Sequence, residues 1–152
     1  MICAVLYSCK DKEAAASIIT EQHDVQIHYP GIGMIYIDKG DCTKLLRSDS
    51  VSATTFVCYR IGVLDSVQTK NGNASYEEEK SVYYQYNMEH DWKALYQGDS
   101  LSPVFFHVTN RKQKNRFEGV LVFETPTGKN PDTLIYNDTY GVWGKQLIVL
   151  NR

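Results

Sequence analysis

The sequence has no apolar run long enough to cross a bilayer. The run at its start, residues 2–6, has no basic residue before it and is followed by Ser8, Cys9 and Lys10, so it is also short for the core of a secretory signal. This predicts a cytoplasmic protein with no membrane partner. Charge of one sign is equally missing: 16 Lys+Arg against 18 Asp+Glu give a formal net charge of -2, so attraction to an anionic partner has to come from a local cluster. Cysteine is sparse, and Cys3, Cys9, Cys42 and Cys58 form no C-x-x-C pair, which argues against a zinc site or a thioredoxin-like redox site. Cys3 and Cys58 lie within β-branched and aromatic runs, where a thiol serves as a small apolar side chain. No repeat of fixed period and no low-complexity tract is present. A complete cofactor motif is missing too, because Gly31-Ile32-Gly33 lacks a third glycine and opens no helix. The reading therefore implies no cofactor and no metal.

What is present is ordinary globular composition, 43% hydrophobic and 22% charged, sized for one domain or two very small ones. Residues 2–7 are apolar at every position, as in a strand covered on both faces. Ser8 and the spacing of Ala14, Ala15, Ile18 and Ile19 predict a helix over about 10–22. Val25, Ile27 and Tyr29 alternate up to Pro30-Gly31, a turn signal, after which Met34 to Ile37 completes a hairpin. Asp41 is a candidate N-cap for a short helix carrying Leu45 and Leu46, and residues 54–61 read as a buried strand. That order predicts an α+β fold with a ferredoxin-like βαββαβ unit over residues 1–65.

The acid run Glu77 to Glu79 and the Asn71-Gly72-Asn73 turn mark 66–80 as a polar linker or loop. A mostly antiparallel β half comes next, over residues 81–152. It forms a separate lobe or extends the first sheet into one continuous domain. Val82, Tyr84, Tyr86 and Met88 alternate as a strand, while residues 90–97 suit one or two helical turns with Trp92 and Leu95 inward. Two strand pairs are expected, 104–109 with 117–123 and 133–136 with 146–150.

Several residues are candidates for function. Arg111, Lys112, Lys114 and Arg116 put four cations into six residues at an expected hairpin tip, a local field for phosphate groups or for an acidic partner; solvation of the tip explains them equally. Tyr84, with Tyr83 and Tyr86, offers stacking surface for a base, although tyrosine is also a good strand residue. Alternation points His107 and Thr109 to one side of a strand. The triplet His107-Val108-Thr109 resembles half of the signature of the 2H phosphoesterases. That resemblance implies a proton-transfer role for His107 and a hydroxyl contact to phosphate from Thr109. None of the other histidines has a hydroxyl residue two places on. Trp143, between Val142 and Gly144, is either a core plug or an exposed anchor. The Asn-x-Ser/Thr sequons at Asn73 and Asn137 read as chance matches in a cytoplasmic chain.

These residues support two functions. The first is a small binding or regulatory module that recognises a protein partner or an anionic ligand (nucleotide, RNA or DNA) through the basic loop and Tyr84. The alternative is a metal-independent phosphoesterase or nuclease that uses His107 and Thr109. A structural subunit of a homo-oligomer is a third possibility.

Overall fold

The computed structural model describes residues 23–42, 54–65, 74–126 without 111–114, and 128–150 without 142. The expected strand over 2–7 and helix over 10–22 lie outside these residues, as does most of the short helix expected after Asp41. Nine strands form two antiparallel sheets among the described residues. The first sheet has the order β1-β2-β3-β7-β6, with β1 at Val25–Tyr29, β2 at Gly33–Gly40, β3 at Thr54–Asp65, β6 at Phe105–Asn110 and β7 at Arg116–Pro126. The second has the order β5-β4-β8-β9, with β4 at Trp92–Tyr96, β5 at Asp99–Leu101, β8 at Thr133–Asn137 and β9 at Lys145–Val149.

The β1–β2 hairpin arises directly from its turn chemistry. Ile32 N–H donates to Tyr29 O at 3.0 Å across Pro30 and Gly31, and Gly31 has φ +74°, a value glycine reaches without a Cβ penalty. The register then puts Val25, Ile27 and Tyr29 on the same face as Ile37, Ile35 and Gly33. The pairs expected from sequence within 104–123 and 133–150 also form, as β6–β7 and β8–β9.

The ferredoxin-like unit does not form. In that arrangement the first strand separates the third from the fourth, whereas here β2 pairs directly with β3 from Gly33↔Asp65 to Gly40↔Cys58. Among the described residues there is one α-helix, α1 at Ala74–Val82, and it lies partly in the stretch expected to be a linker. β3 pairs with β7 along its length, so residues on both sides of that stretch share a sheet. The fold is mostly β, with a core between two sheets.

That core draws on both layers. Ile35, Ile37, Tyr59, Ile61, Val63, Leu121 and Phe123 come from the first sheet and meet Trp92, Ala94, Leu134, Tyr136 and Ile148 from the second. Two local readings are also corrected. Residues 83–91 are helical, a π-turn over Tyr83–Asn87 and a 3₁₀ turn over Met88–Asp91 that continue α1. A half-buried strand would hide only one of Tyr83 and Tyr84, yet both are buried, Tyr83 stacked on Tyr140 and Tyr84 on Phe117. Trp92–Tyr96 is a strand and not a helical turn, because Trp92 and Ala94 fill the core from alternate positions.

Cys42 and Cys58 form a disulfide with Cα atoms 5.5 Å apart, so Cys58 is not the free thiol expected from sequence. The register explains the pairing, since Cys58 lies opposite Gly40, just before Cys42. A buried ion pair, Lys80 Nζ to Asp65 Oδ2 at 2.5 Å, ties α1 to the end of β3.

Two outcomes test this packing. A Cβ built at Gly62 would lie 1.9 Å from Tyr36 Cζ, so Gly62→Ala should cost about 1–3 kcal/mol in chemical denaturation. Lys80→Met strands a buried carboxylate and should cost about 3–5 kcal/mol, while the double variant Lys80→Met/Asp65→Leu should recover most of that loss. A double variant no more stable than the single one would show that the pair's charges are not what the site depends on.

Candidate functional site

Where β2 and β7 finish, the two sheets part and leave a cleft of about 1060 Å³. The apolar side chains in its lining are Val25, Ile37 and Tyr59 from the first sheet and Leu150 from the end of the second, with Ile37 and Tyr59 almost wholly buried. Its rim carries both signs, with Asp24 and Lys39 on one side and Lys129 and Asp132 on the other. Tyr59 is 3% exposed, and burial pushes its phenol up to about 12, so it enters the cleft wall as a neutral group.

The rim is held in place by hydrogen bonds. Lys39 donates its backbone N–H to Asp24 Oδ2 at 2.8 Å and its Nζ to Asn130 Oδ1 at 3.2 Å, linking β2 to the far wall. The single proton of the Thr125 hydroxyl is shared between the carbonyls of Thr55 at 3.2 Å and Lys129 at 3.0 Å, which fixes the start of that wall, and Gly128 turns the chain there with φ +72°. Asp132 N–H reaches Leu95 O and Leu150 N–H reaches Asp132 O, so the loop is fastened to both β4 and the chain end.

Behind the rim, on the outer face of the first sheet, lies a compact polar array. His23 Nδ1 is 2.9 Å from Asp38 Oδ2, and Asp38 also accepts from Asp24 N–H and from Arg60 Nε and Nη2. Burial raises the Asp38 carboxyl, but the bonds from His23, the Asp24 backbone and Arg60 outweigh it and leave the group below its ordinary value. The Tyr36 ring lies flat over Gly62 and stacks on His23 with centroids 4.0 Å apart. Its hydroxyl donates to Glu118 Oε1, and burial, then that bond, pushes the phenol up to about 12. Glu118 is raised by burial yet ends lower than usual, because Tyr36 and Arg116 both donate to it.

The sequence-predicted residues fall elsewhere. Arg116 is half-buried against Glu118, with Nη2 to Oε1 at 2.7 Å, and its guanidinium also donates to Tyr36. Arg111, Lys112 and Lys114 lie outside the described residues. Tyr84 is buried in the core, its ring 3.9 Å from that of Phe117. His107 and Thr109 are exposed on β6, the edge strand of the first sheet, and neither lines the cleft. His107 shares its face with Phe105 as alternation requires, but Val108 pairs with Gly119 and Asn110 with Glu118, so Thr109 is the extra residue of a bulge. Trp143 is 4% exposed and meets Tyr29 edge-on, a core plug. Among the described residues no group of three or more His, Cys, Asp or Glu is placed to hold a metal ion, and no helix is long and apolar enough to cross a membrane.

Sequence reasoning missed the cleft. Its one local signal is the turn-rich stretch 126–132, where Pro126, Gly128 and Pro131 mark a loop in the sequence.

The carboxylates behind the rim set a pH response. Both Asp38 and Glu118 have folded values below those of the unfolded chain, so their stabilisation is complete above the unfolded carboxylate range near pH 4 and is lost as pH falls through the lower folded values. The urea midpoint should therefore drop below about pH 4. Asp38→Asn and Glu118→Gln should each lower the midpoint at pH 7 and flatten that acid limb. An acid limb unchanged by either substitution would remove the array as its source.

No family model, no curated protein and no solved structure matches this chain, so the functional reading rests on the geometry of the cleft and the array behind it.

Proposed function

We propose that this protein is a binding module without chemistry of its own, which takes an apolar side chain of a protein partner into the cleft between its sheets. The observation that supports the reading is the combination of apolar side chains among the lining residues, about 1060 Å³ of space and a rim fastened by hydrogen bonds. Space of that order accommodates several side chains or a short segment. The rim favours a protein over an anionic ligand, since a phosphate chain crossing it would meet Asp24 and Asp132 as well as Lys39 and Lys129. Of the four cations expected to hold phosphate, the one described, Arg116, is bound to a carboxylate.

Twelve-residue peptides selected by display on the purified protein provide the probe. Selected peptides should lose at least tenfold in affinity on Leu150→Asp or Lys129→Glu, and should be indifferent to Tyr86→Ser, which changes a tyrosine 64% exposed and outside the cleft. Circular dichroism establishes that each variant is folded, and Lys129→Glu serves if Leu150→Asp is not. Peptides that bind both cleft variants unchanged would overturn the reading. So would a protein that selects no peptide but binds an RNA oligonucleotide with steep salt dependence.

A further inference from the structure

We propose that the Cys42–Cys58 disulfide is a redox latch on the cleft: closed, it holds the end of β2 in place as one rim, and its reduction by a dithiol releases that rim and weakens binding. The inference rests on the cleft being the binding site.

The end of β2 is the least secured part of the cleft wall. Its ladder with β1 stops at Val25↔Ile37, so Asp38, Lys39 and Gly40 pair with β3 alone. Apolar burial stops there too, since Ile37 is 1% exposed while Asp38 is half-buried and Lys39 and Gly40 are exposed. A strand end that buries no apolar side chain opens readily. Yet this end carries the bridging residue of the rim, Lys39, whose backbone N–H donates to Asp24 Oδ2 and whose Nζ donates to Asn130 Oδ1 on the far wall.

The disulfide supplies the anchor that packing does not. Gly40 lies opposite Cys58 and leaves that face free of a side chain, so Cys42 reaches Cys58 diagonally with Cα atoms 5.5 Å apart. Cys58 is 1% exposed within β3, the strand paired on both sides with β2 and β7, so the bond ties a loose end to the middle of the sheet. The tie lies three residues beyond Lys39. Cys42 is half-buried and Cys58 is not accessible, so a reductant reaches the bond at Cys42 Sγ. In the cytoplasmic setting expected from the sequence, a disulfide is ordinarily transient and serves redox sensing.

The exchange balances with a dithiol as reductant. One thiolate of the dithiol attacks Cys42 Sγ, the new S–S bond forms as the Cys42–Cys58 bond breaks, and Cys58 leaves as a thiolate that takes up a proton. The second thiol then attacks the reductant sulfur of the mixed disulfide and frees Cys42. Two electrons pass to the protein, and the two protons of the dithiol end on Cys42 and Cys58. If the released rim keeps its bound geometry about a fifth of the time, apparent affinity falls about fivefold.

The full chain, oxidised and after treatment with dithiothreitol, tests this with the display-selected peptides and with hydrogen exchange. Reduction should lower peptide affinity about fivefold. It should speed exchange of the Lys39 amide about tenfold while leaving that of Ile35, in the buried middle of β2, unchanged. Cys42→Ser should bind like the reduced protein and ignore dithiothreitol; if that variant does not fold, the wild-type comparison decides alone. Equal affinity and equal Lys39 exchange in both redox states would overturn the latch, and so would a reduced chain that unfolds by circular dichroism, since the bond would then serve the whole fold. Peptides that respond to Lys129→Glu but not to reduction would sink the latch and leave the cleft reading standing.

Discussion

The antiparallel ladder between β3 and β7, running from Thr54↔Pro126 to Leu64↔Arg116, is the constraint on which the rest of this molecule depends. It joins two stretches more than fifty residues apart into the spine of one sheet, with β1–β2 extending it on one side and β6 on the other. Every second residue of that spine then serves one of two purposes. Tyr59, Ile61, Val63, Leu121 and Phe123 face the second sheet and form the core, while Arg60, Gly62 and Glu118 face outward beneath the polar array. Gly62 shows how tight the outer layer is, since the Tyr36 ring occupies the space a Cβ would need on the way to Glu118.

The two ends of the sandwich are treated differently, and this asymmetry creates the cleft. At one end the helical run from α1 to Asp91 packs Tyr83, Tyr84 and Met88 into the core. Asp91, 8% exposed, accepts from Tyr83 at 2.5 Å and from the backbone and hydroxyl of Thr139, and Asp138 accepts from the N–H groups of Tyr140, Gly141 and Trp143. Carboxylates so well supplied with donors, Asp91 buried and Asp138 partly so, make that closure specific as well as tight. At the other end Lys39 with Asn130 and the loop 128–132 bridge the layers, and Val25, Ile37 and Leu150 are among the residues lining an opening.

Legibility in the sequence followed the range of the interaction. The β1–β2 hairpin was readable because Pro30-Gly31 specifies its turn locally, and the β6–β7 and β8–β9 pairs because each joins neighbouring runs with a polar loop between them. Residues 82–88 alternate like a strand, but a segment lying across the end of a sandwich can bury adjacent tyrosines on two partners, and the continuation of α1 decides its form. The ferredoxin-like reading failed where element order underdetermines pairing: a strand, a hairpin and another strand fit a split unit as well as a meander, until β2 is seen to pair with β3. For the site, Arg116 was recognised as a charge but not as one aimed at Glu118, two residues away on the same face of its own strand. The cleft left little trace, because Val25, Ile37, Tyr59, Lys129 and Leu150 are scattered along the chain and share nothing until the sheets stack.

What the sequence by itself determined is therefore a set of short-range features: the paired runs of the three hairpins, where glycine and proline turn the chain, and that no whole-molecule charge field operates. Side-chain periodicity and turn conformation are properties of a few consecutive residues, so they survive without knowledge of the partner strand. Only the tertiary structure decided that Cys42 and Cys58 meet, that Tyr36 passes over Gly62 to Glu118, and that a cleft opens between the sheets. Each of those depends on register between segments distant in sequence, and register is set by the burial of a whole face at once and not by any residue's own preference.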